Sequence, residues 1–348
     1  SVFGTRPEAI KMCPLVKELE KHPEIESIVC LTGQHREMLQ QVIDVFGTTV
    51  KYNLDIMQPR QTLTTITTKV LERLEPVLKE EQPEIVLVHG DTSTSFVAAL
   101  AAFYQQIPVG HVEAGLRTYD LSSPFPEEMN RQGVGILATL HFAPTQTAKK
   151  HLLAEGKRED RIYVTGNTVI DAMRYTVTED YQNPHLDWAK DSRLILLTAH
   201  RRENLGAGLE RIFRAVHRIV KDFPDVKVIY PVHKNPKVRQ SAEALLGDHE
   251  RIRLIEPLDV LDFHNFMKQS YLILSDSGGI QEEAPSLGKP VLVLRDTTER
   301  PEGVAAGTLK LAGTDEERIY QMTAQLLSDQ KEYEKMKNAV NPYGDGHA

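Results

Sequence analysis

The sequence predicts an α/β fold built from two Rossmann-like domains that face one another across a cleft, on three observations. Short runs rich in Val, Ile and Leu alternate with longer amphipathic stretches, the pattern of strand–helix–strand units on a parallel sheet. These runs fall into two sets with a polar stretch between them. A chain of 348 residues is too long for one ordinary domain and suits two, each able to bury its own core.

In chain order, the first set of strand-like runs is Val2-Phe3, Ile28-Val29-Cys30-Leu31, Ile85-Val86-Leu87-Val88, Val109-Gly110-His111-Val112, Leu140-His141-Phe142 and Ile162-Tyr163-Val164. The polar stretch from Arg174 to Asp191 carries Asn183-Pro184 and no strand pattern, so it is the expected connection. The second set is Leu194-Ile195-Leu196-Leu197, Val226-Lys227-Val228-Ile229, Ile252-Arg253-Leu254-Ile255, Leu272-Ile273-Leu274 and Val291-Leu292-Val293-Leu294. The expected domains are residues 1–167 and 168–348.

A formal net charge of -8 and a pI near 5.9 argue against a broad surface for nucleic acid, though a local basic pocket can still hold an anion. The two cysteines, Cys13 and Cys30, lack CxxC spacing and suit a reducing compartment. No apolar run is long enough to cross a bilayer and no basic-then-apolar leader opens the chain, so the expectation is a cytoplasmic protein without a membrane partner. The chain starts mid-pattern at Ser1-Val2-Phe3, so flanking segments are expected beyond both ends.

Nearly every unusual polar residue follows the C-terminal end of a predicted strand: Gly4-Thr5-Arg6, Gly33-Gln34-His35, His89-Gly90-Asp91, Glu113, His200-Arg201-Arg202, His233 and Ser275-Asp276-Ser277-Gly278-Gly279. Open parallel sheets bind ligands along that edge, where strand ends meet helix N-termini. In the Ser275–Gly279 turn, the glycines let a phosphate approach the backbone, and the helix opened by Ile280-Gln281-Glu282-Glu283 supplies N–H groups and a positive dipole end. A plain strand-to-helix turn has the same small residues; the Glu282-Glu283 pair one helical turn on adds a carboxylate able to accept both hydroxyls of a ribose.

Arg6 and Lys11 bracket the first helix start and are candidates to sit beside a leaving diphosphate; Lys11 equally suits a solvated helix position, and position favours Arg6 over it. Asp91 and Glu113 end apolar strands, and Glu127-Glu128 follows the proline-stiffened Ser123-Pro124-Phe125-Pro126 loop. Carboxylates grouped near a cleft suit proton transfer, because burial and mutual repulsion separate their roles. Asp91 equally suits an N-cap for Thr92-Ser93-Thr94, and Glu127-Glu128 an ordinary helix start. Glu113, between Val112 and Ala114-Gly115, is an odd choice for a structural turn. The 13 histidines include no HExxH and no His/Cys cluster, so no metal is expected.

Taken together, Gly4-Thr5-Arg6-Pro7-Glu8, Gly90-Asp91-Thr92, Val112-Glu113-Ala114-Gly115-Leu116-Arg117-Thr118, Pro126-Glu127-Glu128, His200-Arg201-Arg202-Glu203, Ser275–Glu283 and Arg295-Asp296-Thr297-Thr298-Glu299-Arg300-Pro301 resemble the non-hydrolysing UDP-N-acetylglucosamine 2-epimerases over essentially the whole chain. The resemblance implies a glycosyltransferase-B-like pair of domains, usually a homodimer, that interconverts UDP-GlcNAc and UDP-ManNAc for cell-surface polysaccharides. It implies catalytic Asp91, Glu113 and Glu127 with Arg6, Lys11 and His200 beside them, and UDP on Ser277, Gly278, Gly279 and Glu283 as well as Arg6. It further implies activation by UDP-GlcNAc at a neighbouring site of Gln34, His35, Arg60, Gln61, Arg201 and His233, with Glu127 shared. The family's C-terminal helix would lie beyond Ala348.

Inverting C2 requires loss of a proton from a carbon with no adjacent carbonyl, so a side-chain base needs help. Transient oxidation by a nicotinamide would call for a GxGxxG turn, which Gly4-Thr5-Arg6-Pro7 lacks, and no cofactor is expected. Elimination of UDP to 2-acetamidoglucal and re-addition instead needs a base, an acid and stabilisation of the leaving diphosphate, all of which the motifs offer. A UDP-sugar glycosyltransferase or a hydrolysing epimerase releasing ManNAc would share the fold and the UDP turn.

Overall fold

The computed structural model describes residues 1–33, 36–58 and 61–348, with the backbone alone at 36–38. Two compact units result: Ser1–Tyr175 together with Tyr343–Ala348, and Thr176–Pro342. The division falls at the end of the helix Thr168–Thr176, not before it, because Val169 and Ile170 pack with Ile10 and Tyr343 in the first unit.

In unit 1 the strands are β1 (Val2–Phe3), β2 (Cys30–Leu31), β3 (Tyr52–Asn53), β4 (Val86–His89), β5 (Val109–Val112), β6 (Leu140–Ala143) and β7 (Ile162–Val164). They form parallel ladders β1-β2-β3 and β4-β5-β6-β7, with β1 lying beside β4. The chain therefore runs outward from β1 to one edge, returns, and continues outward from β4. Alanine and valine explain why the helix Ser93–Tyr104 can lie close to its neighbours: Val97, Ala98, Ala101 and Ala102 are buried, and the helix packs against both Leu63–Glu81 and Glu127–Leu137. Gly133 permits that approach, since a Cβ there would stand 2.6 Å from the Phe96 ring.

Unit 2 repeats the plan with β8 (Arg193–Thr198), β9 (Val226–Pro231), β10 (Ile252–Ile255), β11 (Leu272–Ser275), β12 (Val291–Val293) and β13 (Leu309–Leu311), in the parallel order β10-β9-β8-β11-β12-β13. Buried on both faces, β8 and β11 are the nearly continuous apolar runs expected of central parallel strands. The helix Ala207–Asp222 buries Leu209, Ile212, Phe213, Val216, Ile219 and Val220 at helical spacing against this sheet. Their burial contributes on the order of 1.5–3 kcal/mol per side chain before the entropy of ordering is counted.

Two strands escape a search for apolar runs, β3 and β13, and both are edge strands. An edge strand needs only one buried face, so Tyr52-Asn53 and Leu309-Lys310-Leu311 carry polar residues where central strands carry valine. Among the described residues, no helix is long and apolar enough to cross a membrane.

Candidate active site

Each sheet has one place where its strand order reverses, between β1 and β4 in unit 1 and between β8 and β11 in unit 2. There the connections leave in opposite directions and open a crevice at the strand C-termini. Gly4-Thr5-Arg6 and Gly90-Asp91 occupy the first, Ala199-His200-Arg201 and Ser275–Gly279 the second.

Glu8 joins the two turns of unit 1. The carboxylate is 1% exposed; Oε2 accepts the N–H groups of Gly4 at 2.9 Å and Thr5 at 2.7 Å, and Oε1 accepts the hydroxyls of Thr92 at 2.6 Å and Ser95 at 2.9 Å. With Thr5 it forms the capping box of the helix Arg6–Leu19, Pro7 sitting in the first turn. Arg6 is thereby held at the helix start, and its guanidinium has no ion-pair partner among the described residues.

Asp91 follows β4 and is ion-paired with Arg131, while Asn130 Nδ2 donates to its carbonyl at 2.9 Å. The N-cap role belongs to Thr92, whose hydroxyl accepts Ser95 N–H at 3.0 Å, so the Asp91 carboxylate is not spent on capping. Glu113 sits just past β5 with φ 62°, a left-handed conformation that costs a non-glycine residue on the order of 1–3 kcal/mol and concentrates at functional sites. Oε1 is ion-paired with Lys11 and accepts Asn167 Nδ2 at 3.1 Å, and Oε2 faces His89 Nε2 at 3.6 Å. Burial lowers the pKa of His89, against the pull of Glu113. His89 is therefore a neutral wall to this carboxylate at neutral pH.

Glu127 opens the helix Glu127–Leu137 after a loop in which both Ser123-Pro124 and Phe125-Pro126 are cis. The Glu127 carboxylate has no hydrogen-bond or ion-pair partner among the described residues. Glu128 is the opposite case: fully buried, it accepts Tyr119 N–H at 3.0 Å and Gln132 Nε2 at 2.9 Å and faces Arg131 at 3.2 Å. Burial opposes its ionisation, but these hydrogen bonds and Arg131 outweigh it and hold the carboxyl below the usual range. Adjacent glutamates thus divide into one that orders the loop and one left open.

In unit 2, Asp276 follows β11, is completely buried, and organises the opposite turn. Oδ2 accepts the N–H groups of His200 and Arg201 at 2.8 Å each and Asn204 Nδ2 at 3.0 Å. Oδ1 has no hydrogen-bond partner and lies 3.6 Å from His200 Nδ1. Such a carboxylate favours a proton on Nδ1 and leaves Nε2 to face a ligand. Burial lowers the His200 pKa, and Asp276 works the other way. Ser277 makes no side-chain cap for the helix Gly278–Glu283, so the helix start presents its N–H groups over two glycines. A Cβ on Gly278 would stand 2.9 Å from an Arg300 nitrogen, and one on Gly279 3.2 Å from Glu283 Oε1.

The Glu282-Glu283 pair also separates. Glu282 is 4% exposed and holds Arg300 Nε at 2.9 Å, tying down the Arg295–Pro301 loop, whereas the Glu283 side chain is 16% exposed and faces His264 Nε2 at 3.5 Å.

Of the residues expected at an activator site, Gln34, His35 and Arg60 lie outside the described residues. Gln61 donates its amide to Ile56 O. An open cavity of about 400 Å³ is lined by Leu31, Gly33, Leu39, Gln40, Asn53 and Asp55. His233 stacks on His200 with ring centroids 5.1 Å apart and planes at 7°, and His233 Nδ1 accepts Asn235 N–H at 3.1 Å. Arg201 reaches Glu299 at 4.0 Å. The motifs assign Arg131, Asn167, Glu8 and Asp276 no role of their own: Glu8 and Asp276 stand within recognised motifs, whereas Arg131, inside the helix Glu127–Leu137, and Asn167, just before the helix Thr168–Thr176, carry no local signal.

Two Rossmann-like units, each with polar groups at its own switch point, place this protein in the glycosyltransferase-B-like class. Within that class the chain belongs to the UDP-N-acetylglucosamine 2-epimerase family, whose sequence profile matches residues 17–348. The UDP-N-acetylglucosamine 2-epimerase of Bacillus subtilis is 63% identical over 348 residues, covering 100% of this chain and 92% of that protein. A solved UDP-N-acetylglucosamine 2-epimerase superposes with a TM-score of 0.93 and 61% identity over 99% of this chain and 91% of the other. The UDP-GlcNAc 2-epimerase of Neisseria meningitidis, crystallised bound to UDP-GlcNAc, gives a TM-score of 0.87 with 52% identity over 99% and 95% of the two chains.

Proposed function

We propose that this chain interconverts UDP-GlcNAc and UDP-ManNAc by eliminating UDP and adding it back, with no cofactor. The observation that carries the reading is the set of three carboxylates at the C-terminal side of the unit 1 sheet in three different settings: Asp91 on Arg131, Glu113 on Lys11 and Asn167, and Glu127 open. Differing environments let one carboxyl act as base and another as acid. One carboxylate takes the C2 proton, the C1–O bond breaks, and its electron pair leaves on the UDP phosphate oxygen while the C1=C2 bond of 2-acetamidoglucal forms. In the return step a proton reaches C2 on the opposite face and the phosphate oxygen rebonds to C1, so the sugar changes configuration and nothing is consumed.

Unit 2 serves the UDP half in this reading. Ser277, Gly278 and Gly279 receive the diphosphate on helix N–H groups, Glu283 takes the ribose hydroxyls, and His200 faces the phosphates. Arg6 supplies a cation for the charge that grows as the C1–O bond breaks. UDP must stay bound between the half-reactions, which asks the glycine turn to hold product as well as substrate. The test is to incubate the protein with UDP-GlcNAc alone in deuterated water and follow C2 by NMR. Deuterium should enter C2 of both UDP-sugars, while protium retained at C2, or free ManNAc as the sole product, overturns the proposal. This reading assigns a second, activating UDP-GlcNAc to Gln61, Arg201, His233, Gln34, His35, Arg60 and the shared Glu127; the stacking of His233 on His200 supports it. Two chains form the working dimer in this reading.

A further inference from the structure

His264 makes no contribution to the chemistry above, yet it is a histidine 2% exposed on the helix Val260–Gln269, with both ring nitrogens directed at polar groups. Nδ1 lies 2.6 Å from Thr176 Oγ1, and Nε2 lies 3.5 Å from Glu283 Oε2. The next residue, Asn265, donates to Thr176 O at 2.7 Å and accepts Thr178 N–H at 3.0 Å, so the anchoring segment is itself clamped to the same helix. The ring is therefore fixed at one end and presents the other to a carboxylate. A separation of 3.5 Å is long for a hydrogen bond but short enough for an N–H at Nε2 to orient a negative group.

Glu283 is the carboxylate the UDP reading gives to the ribose. Its neighbour Glu282 is occupied by Arg300, and the Glu283 side chain is 16% exposed where that of His264 is 2%. A ligand can therefore reach the glutamate and not the histidine. We infer that His264 is a positioning residue for nucleotide recognition: anchored on Thr176, it fixes the Glu283 carboxylate in the orientation that accepts the 2′- and 3′-hydroxyls of the ribose. This rests on the ribose assignment of Glu283 and adds to it the group that orients it.

The test compares the affinities of the whole chain for UDP and 2′,3′-dideoxy-UDP by calorimetry. Wild type should prefer UDP by about tenfold or more, the usual worth of hydrogen bonds to a charged group. His264→Leu should weaken UDP alone and bring the preference to within about threefold, whereas His264→Gln, whose amide can stand near the Nε2 position, should restore much of it. Equal weakening of both ligands by His264→Leu, or a preference that survives it, overturns the inference. Equal affinity of wild type for the two ligands overturns the ribose assignment itself, and the inference with it, a failure recognisable because it precedes any substitution. If His264→Leu does not fold, Thr176→Val carries the test: the preference should fall with dideoxy-UDP binding unchanged, and an unchanged preference overturns the inference.

Discussion

Asp91 and Glu113 are acidic residues just past strand ends and Glu127 is one at a helix start, but what surrounds each decides what it can do. Asp91 is ion-paired with Arg131 and is released from capping by Thr92. Asp91→Asn keeps the shape and removes the charge, so turnover of UDP-GlcNAc should fall about 10²–10⁴-fold, the range of a lost acid or base, while the circular dichroism spectrum and melting temperature barely change. A variant retaining near-normal turnover would remove Asp91 from the mechanism. Glu113 and Glu127 stand out in the sequence, one for its setting between Val112 and Ala114 and one for the prolines before it. Arg131 and Asn167 do not, since an arginine inside one helix and an asparagine just before another are what ordinary surfaces contain; only packing brings them onto Asp91 and Glu113.

At the level of elements, the turn after β5 carries the strictest requirement. Gly115 has φ 89°, and a Cβ there would lie 2.4 Å from the backbone oxygen of Ala148. Backbone oxygen cannot step aside as a side chain can, so Gly115→Ala should destabilise unit 1 by about 2–4 kcal/mol through strain and overpacking, seen as a lower urea midpoint. A midpoint within error of wild type would contradict the close approach. The same turn sets Glu113, two residues earlier, in its left-handed conformation, so the glycine and the glutamate act as one device. Central strands such as β8 and β11 were legible because burial on both faces demands continuous apolar runs. β3 and β13 were not, because an edge strand leaves too weak a pattern in two or three residues.

Across the whole molecule, acid stability should depend on histidines paired across β5 and β6. His111 and His141 are adjacent in register and 0% and 2% exposed; burial first, then neighbouring positive charge, holds His141 at about 4, while burial brings His111 to about 3 despite its hydrogen bond to Gly90 O. Both values lie below the ordinary histidine pKa near 6.5, so the unfolded chain binds the extra protons. The stability is then complete above about pH 6.5 and is lost progressively as pH falls, toward about 4 for His141 and about 3 for His111, by on the order of 1–2 kcal/mol per histidine at pH 5. Calorimetric melting should be lower at pH 5 than at 7.5, with His141→Gln losing part of that difference; a pH-independent melting temperature would falsify this. The activator reading predicts that UDP-ManNAc alone reacts slowly until a trace of UDP-GlcNAc is added, and that His233→Ala abolishes the effect; equal rates with and without the trace count against it. The two-domain parallel α/β plan, the glycine turn after β11 and the acidic residues at strand ends were all determined by the sequence alone, because hydrophobic periodicity and turn chemistry are local properties. Only the tertiary structure decided that Glu128 and Glu282 are tied into buried hydrogen bonds and ion pairs while Glu127 has no partner among the described residues and Glu283 stays partly exposed, that Lys11 holds Glu113, and that His264 stands behind Glu283. Those outcomes depend on pairings between residues far apart in the chain, and charge compensation in a partly buried site is settled by which groups the packing brings within a few ångströms.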